Sequence, residues 1–293
     1  MESYHPFRSP QAKEAYHSYA TQEAQKCSTP SQTLEVETSY GQTFVRISGA
    51  KELPALVLLA GSSSSSLMWC SAISEFSKSY RTYAVDNIFD VGLSVNRKDL
   101  KTLDALLEWL DELFEALGLS RDINLMAMSY GGWLASQYAL RFPHKLNRVV
   151  LIAPAATFLP LEWNFLSRAL LMALPIRHFT QRYIYWLLND MMRQGQKDRV
   201  DTYIDELWFY RQSFGYKALV PPTLLSDAQL KAWSIPTLLI VGENEKMYSA
   251  QEAIEKVQKH SKSIETLLIE NTGHDLYFLE EEYIIKKAME FLE

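Results

Sequence analysis

Asn124-Leu-Met-Ala-Met-Ser-Tyr-Gly-Gly132 is the stretch on which the reading of this chain turns. The short apolar run Ile123 to Met128 has the length and texture of a buried parallel strand. Ser129 ends it, and a helix-like segment from Trp133 to Phe142 follows at once. Small residues, Ala127 and Gly131, stand two before and two after the serine. This is the small-x-Ser-x-small pattern of a nucleophile elbow, in the strand-turn-helix context the pattern requires. So tight a turn crowds neighbouring Cβ atoms, lifts the hydroxyl above the strand end and aims the Tyr130 amide into the same space. The helix N-terminus adds a positive dipole where an oxyanion develops. A serine that simply caps a helix after a buried strand would look alike over five residues. The surrounding chain separates the two readings.

Upstream, strands and helices alternate. Leu34–Thr38 and Thr43–Ile47 are expected to pair as an antiparallel hairpin around Ser39-Tyr-Gly41. Ala55–Ala60 and Tyr83–Val85 read as strands, Trp69–Lys78 and Leu100–Leu117 as helices, the last closed by Gly118. Val149–Ala153 is the next strand after the elbow. The alternation stops at Pro160 and resumes at Pro236 with strand Thr237–Val241, helix Ser249–His260, strand Ile264–Ile269 and helix Glu280–Leu292. A mostly parallel, doubly wound α/β sheet with helices on both faces is the architecture this order implies. Residues 160–233 lack core strands and are rich in aromatics, with helices expected at Tyr183–Met192 and Arg199–Phe214. They read as a helical cap, or lid, whose inner face lines a substrate pocket. Residues 1–30 form an N-terminal helical extension, with a polar helix at Gln11–Gln25, and residues 31–159 and 234–293 the core.

The composition narrows the field. Of 293 residues 47% are apolar and 22% charged, a globular balance, and the formal net charge is −6. No basic face interleaved with aromatics exists, so nucleic acid is not an expected partner. Cys27 and Cys70 are too few for a disulfide framework or a zinc cluster, which fits a reducing, cytoplasmic setting. Met1–Pro10 lacks the apolar core of a signal peptide, and the longest apolar run, Val149–Leu161, is broken by two prolines and too short to span a bilayer. No membrane partner is expected, and a homodimer is one assembly the sequence allows.

A serine hydroxyl needs a base to take its proton, and the base needs an orienting acid. In open α/β sheets such groups gather at the carboxyl ends of strands. Of six histidines, His274 alone follows a late strand, in the loop Ile269-Glu-Asn-Thr-Gly-His274. Glu243 and Glu245, in Ile240-Val-Gly-Glu-Asn-Glu245, both follow an earlier strand. Glu245 is preferred because it lies further into the loop towards the histidine. Asp275 is set aside because adjacent side chains point apart. The order Ser129, Glu245, His274 is one of those known for such triads.

With these residues in place the chain resembles the α/β-hydrolase superfamily from about Leu34 to its end, and most closely the bacterial carboxylesterases of the NP (naproxen esterase) type. The resemblance is carried by Gly41-Gln-Thr-Phe-Val45, Leu56-Val-Leu-Leu59, Tyr80-Arg-Thr-Tyr-Ala-Val-Asp86, Pro154-Ala-Ala-Thr-Phe-Leu-Pro160 and Leu239-Ile-Val-Gly-Glu243. It implies Ser129 as nucleophile, His274 as general base and then acid, and Glu245 as orienting carboxylate. The oxyanion hole would be the backbone amides of Ser62 and Tyr130. No metal or organic cofactor is implied, and the substrate would be a small-molecule ester with an apolar acyl or aryl part.

Departures from the family pattern set further expectations. Ala60-Gly61 stands where relatives usually have His-Gly. The run Ser62–Ser66 is either a flexible polar turn or a hydroxyl-lined wall of the pocket. Phe89, where many relatives have glycine, is expected to narrow the entrance. The same three residues would also serve a carbon–carbon bond hydrolase, lactonase, thioesterase or acyltransferase. The alternative from another class is a non-catalytic binding or scaffold protein on the same fold.

Overall fold

Each central strand sends alternate side chains into two different cores. In the computed structural model, which describes residues 2–215 and 218–293, Val57, Leu125, Leu151 and Leu239 face one hydrophobic cluster, while Leu58, Met126, Val150 and Leu238 face another on the opposite side. Both faces of these strands are therefore covered. That is why they read as continuous apolar runs rather than as alternating ones.

The chain opens with helix α1 (Pro10–Lys26), capped by Ser9, whose side chain accepts the Ala12 amide. Strands β1 (Gln32–Thr38) and β2 (Gly41–Ser48) form the expected hairpin, with Thr38 opposite Gly41. Next come β3 (Ala55–Leu59), α2 (Cys70–Phe76), β4 (Arg81–Val85) and a two-residue strand β5 (Val95–Asn96) paired to β2, which sequence did not suggest. Helix α3 (Leu103–Ala116) starts at its Thr102 cap, three residues later than its apolar pattern begins. The centre of the sheet follows with β6 (Ile123–Met128), α4 (Ser129–Arg141) and β7 (Leu146–Ile152).

Between β7 and the next strand lie helices α5 (Trp163–Met172), α6 (Arg177–Leu187), α7 (Asn189–Arg193), α8 (Lys197–Ser213) and α9 (Asp227–Lys231). The helix expected at Tyr183–Met192 is broken in the structure: Leu188 leaves helical geometry (φ −99°, ψ 41°), so that α6 and α7 meet at a corner. The core resumes with β8 (Thr237–Gly242), α10 (Ala250–His260), β9 (Ile264–Ile269), a single turn α11 (Leu276–Leu279) and α12 (Glu281–Leu292). Met1 of the expected N-terminal extension, and Tyr216 and Lys217 of the expected cap, lie outside the described residues.

Among the described residues nine strands form one sheet in the order β1-β2-β4-β3-β6-β7-β8-β9, with β5 beside β2. From β4 to β9 the pairings are parallel, and the hairpin adds antiparallel strands at one edge. The carboxyl ends of β3, β6, β8 and β9 thus lie along one rim. Each of the expected site residues follows one of these strands.

The two cysteines require a correction. They are bonded to each other: Cys27, at the end of α1, and Cys70, at the start of α2, form a disulfide with Cα atoms 5.1 Å apart, across 43 positions of sequence. Two cysteines do not make a framework, but one bridge is enough to fasten the end of α1 to α2.

Candidate active site

Ser129 sits at the junction of β6 and α4 with φ 52°, a left-handed conformation that a non-glycine residue holds only when its surroundings impose it. The Ala155 amide, which donates to the Ser129 carbonyl at 3.0 Å, is one such restraint. The glycines after the serine answer to close approaches. A Cβ at Gly131 would run into the carbonyl oxygens of Leu59 and Ala60, so the end of β3 can lie against the turn only because that position has no side chain. Gly132 likewise faces Pro154.

The rim then assembles the other two groups. His274 Nε2 lies 3.1 Å from Ser129 Oγ, and its Nδ1 lies 2.9 Å from Glu245 Oε2. The side chain of Glu245 is fully buried, and its Oε1 accepts the amides of Lys246 at 2.7 Å and Met247 at 3.0 Å. Gly242 makes this meeting possible, because a Cβ there would collide with the carbonyls of Thr272 and Gly273. The acid loop and the histidine loop thereby run side by side, joined by Asn244 N–H to the Thr272 carbonyl at 2.8 Å. Glu243 takes a different part. It accepts the Asn271 amide at 3.0 Å and braces the histidine loop from its exposed side.

Burial disfavours a charged His274 and on its own would lower its pKa. The charge of Glu245, the hydrogen bond to it and the charge of Asp275 outweigh that penalty, and the imidazole titrates above its ordinary value. The arrangement can therefore accept a proton from Ser129 at Nε2 while a buried carboxylate stabilises the resulting imidazolium.

Ser62 lies in the wall of a 120 Å³ cavity that also contains Ser129 and His274. The loop around it is tied down on several sides. Asn87 Nδ2 donates to the Ala60 carbonyl at 3.0 Å, and the Ser63 amide donates to Asp90 Oδ2 at 2.8 Å. The Ser66 amide donates to buried Asp86 at 2.7 Å, and the Ser66 hydroxyl accepts from Arg46 Nε at 3.1 Å. The two readings of the serine run therefore divide along its length. Ser62, Ser63 and Ser64 line the cavity, whereas Ser65 caps a short turn and Ser66 is held in the core. Tyr130 can offer only its backbone to the site, because its ring packs between Phe89 and Trp133 and its hydroxyl donates to the Val220 carbonyl at 2.8 Å.

Phe165, Tyr183, Leu187 and Leu207 from the helical insertion give the cavity an apolar roof. A second, larger cavity of 630 Å³ shares Ser63, Met172 and Leu207 with it and opens between the insertion and the core. Phe89 lines this outer space rather than the inner one, wedged edge-on against Trp109.

Two residues support the site in ways the sequence does not assign to them. Asp275 is buried and accepts the amides of Gly273 at 2.9 Å and Met191 at 2.8 Å, linking the histidine loop to α7. Asp90 holds the loop that carries Ser62. Asp275 stands next to a candidate base, which is a signal, but nothing in the sequence pairs Asp90 with Ser63. Among the described residues no group of three or more His, Cys, Asp or Glu side chains is placed to hold a metal ion, and no helix is long and apolar enough to cross a membrane.

Comparison with known proteins shows what the whole chain is similar to. The chain is 31% identical over 267 residues to carboxylesterase YbfK of Bacillus subtilis, covering 89% of this chain and 88% of that one. It is 30% identical over 261 residues to the uncharacterized carboxylesterase nap of the same organism, covering 87% and 85%. The solved structure of naproxen esterase (carboxylesterase NP) from Bacillus subtilis superposes with a TM-score of 0.87 at 25% identity, over 98% of this chain and all of that one. Residues 56–284 match the family model described as the alpha/beta hydrolase family. With that span and these relatives, the chain belongs to the alpha/beta hydrolase family.

Proposed function

We propose that this protein is a serine carboxylesterase that cleaves carboxylic esters with an apolar acyl or aryl part through an acyl-enzyme. The observation that carries the reading is the relay of 3.1 Å and 2.9 Å from Ser129 through His274 to Glu245. Similarity to proteins named as carboxylesterases supports it. Ser129 Oγ attacks the ester carbonyl carbon as its proton passes to His274 Nε2, and Glu245 steadies the imidazolium. The oxyanion is held by the amides of Ser62 and Tyr130, where one donor is typically worth about 2.7–4 kcal/mol of barrier. The tetrahedral intermediate collapses, the C–O bond to the alcohol breaks, and His274 returns the proton to the leaving oxygen. Water, deprotonated by the same imidazole, then attacks the acyl-Ser129 carbonyl and frees the acid.

Residues 160–233 act as the cap in this scheme, and the apolar roof of the inner cavity supports a preference for apolar acyl or aryl groups. The partner is a small-molecule ester. The cytoplasm expected from sequence would keep Cys27 and Cys70 as thiols, and the bonded pair belongs to an oxidising compartment, so alkylation and mass analysis of protein taken from cells distinguishes the two. A fluorophosphonate probe together with chromogenic esters of graded acyl length tests the activity. Labelling and turnover are expected in the wild type and lost in Ser129→Ala. Absence of labelling in both, or a steady decline in turnover from acetyl upwards, contradicts the corresponding part of the proposal.

A further inference from the structure

Helix α5 is apolar on two faces, and only one is covered. Phe165, Ala169 and Met172, spaced by four and three, pack against the cluster of Tyr183, Ile184 and Leu187. On the other side stand Trp163, Leu166 and Leu170, followed by Leu171, Leu174 and Ile176 in the same segment, all six exposed. Trp163 is 80% exposed and Leu170 74%, and no residue of the helix is buried. Single exposed leucines are ordinary, but a contiguous run of this kind marks an interaction surface.

Charge indicates what covers it. The whole chain carries a net charge of −6, yet from Trp163 to Asn189 it holds Arg168, Arg177 and Arg182 and no carboxylate. Arg211 of α8 adds a guanidinium at the end of α5, donating to the carbonyls of Met172 and Ala173. Glu162 precedes the helix, and Asp205 is engaged by Arg177. Arg168 donates from Nε to Asn164 Oδ1 at 2.9 Å and lies 4.8 Å from the centre of the Trp186 ring, which leaves its terminal nitrogens for an anion, and Arg182 is exposed. The patch also adjoins the outer cavity, because Ala169, Met172, Ala173 and Pro175 of the same segment line it.

We propose that the α5 corner docks on an anionic lipid–water interface. Trp163, Leu170 and Leu174 enter the boundary between headgroups and acyl chains, and Arg168 and Arg182 meet lipid phosphates. An exposed tryptophan and leucines beside arginines are the chemistry of a helix lying in such an interface. A second copy fits less well, since from Trp163 to Asn189 the same surface of a two-fold partner offers no carboxylate to meet the arginines. The expectation of no membrane partner rested on the lack of a spanning segment, and it does not reach a helix that lies on the surface. This inference concerns binding and is independent of the ester chemistry.

Sedimentation with vesicles of phosphatidylcholine, alone or mixed with phosphatidylglycerol, tests it. The wild type is expected to partition about tenfold more strongly onto the anionic vesicles. Leu170→Glu with Leu174→Glu is expected to abolish binding to both, and Arg168→Gln with Arg182→Gln to erase the anionic preference. Hydrolysis of a short soluble ester should stay at wild-type rate in each variant, which shows that they fold. The proposal is overturned if the wild type stays in the supernatant with both vesicle types, or binds no better than the Leu170→Glu, Leu174→Glu variant. It is equally overturned if the wild type alone sediments as a dimer that this variant converts to monomer. Should the paired glutamates unfold the chain, the partition of the wild type between the two vesicle compositions decides alone.

Discussion

Asp275 accepts the amide of Met191 at 2.8 Å, so the residue next to the candidate base also ties α7 to the core, beside Asn244 Nδ2, which donates to Asp190 at 3.2 Å. The other oxygen of Asp275 accepts the Gly273 amide at 2.9 Å, within the loop that delivers His274. One buried carboxylate thus shapes the histidine loop and holds α7 against it. A hydrogen bond to a charged group contributes about 1.5–3 kcal/mol, and the cost of burying the charge offsets part of two such bonds. Asp275→Ala is therefore expected to lower stability by about 2–4 kcal/mol and to reduce kcat, with Asp275→Asn intermediate on both. Urea denaturation and steady-state kinetics on one soluble ester measure the two effects. An alanine variant with wild-type stability and kcat would show that the link has no role.

The pH profile should report the pair formed by His274 and Glu245. Burial pulls the His274 pKa down, and the neighbouring carboxylates more than compensate. The base must be neutral to accept the serine proton, so kcat/KM is expected to fall as pH drops through a pKa above the ordinary histidine value. Glu245→Gln removes the charge and leaves burial less opposed. Its acid limb is expected to shift to lower pH, while the plateau drops by about 10⁴-fold, as when the acid of such a triad becomes an amide. An acid limb that stays in place in Glu245→Gln contradicts the assignment.

How much of this could be read from the sequence follows from the range of the interactions. Strands such as β3 and β6 declared themselves because both their faces are buried, and burial writes a local apolar run. Ser129, Glu245 and His274 were legible because each directly follows a strand, and the parallel order brings strand ends to one rim. Leu188 was not legible, since both sides of the corner between α6 and α7 have helical texture and no glycine or proline marks the break. The Cys27–Cys70 bond, the Ser63–Asp90 bond and the Met191–Asp275 bond all join positions far apart in sequence. No spacing rule reaches such pairs, so these supports stayed hidden, whereas the three candidate residues each follow a strand and could be singled out.

Asp90 should act on the transition state more than on substrate binding. It engages the Ser63 amide at 2.8 Å, one residue beyond Ser62, and Ser63 has the left-handed φ of 58°. Without that acceptor the loop can relax from a conformation that is unfavourable for serine, and the Ser62 amide loses its aim. Asp90→Ala is expected to lower kcat by about 10–100-fold with little change in KM, less than the loss typical of deleting an oxyanion donor outright. Asp90→Asn keeps an acceptor and should recover much of the rate. A rise in KM at unchanged kcat would place Asp90 in substrate binding instead.

The disulfide should matter for persistence and not for turnover. It closes a separation of 43 residues, for which the chain-entropy estimate is up to about 4 kcal/mol. Helix α1 has other attachments. Tyr16 packs edge-on against Phe214 at 4.7 Å, and the Tyr19 hydroxyl donates to Glu206 on α8 and lies 3.0 Å from the Tyr210 hydroxyl. These keep the first helix on the cap when the bond is open, so soluble-ester hydrolysis at moderate temperature should be unchanged in Cys27→Ser with Cys70→Ser. The melting temperature should fall, by about 2–4 °C for each kcal/mol lost in a chain of this size. Calorimetry of the wild type with and without a thiol reductant, beside the double variant, checks the cause. Reduced wild type and variant are expected to melt together, below the oxidised protein, and a common melting temperature for all three would mean that the bond contributes nothing to the fold.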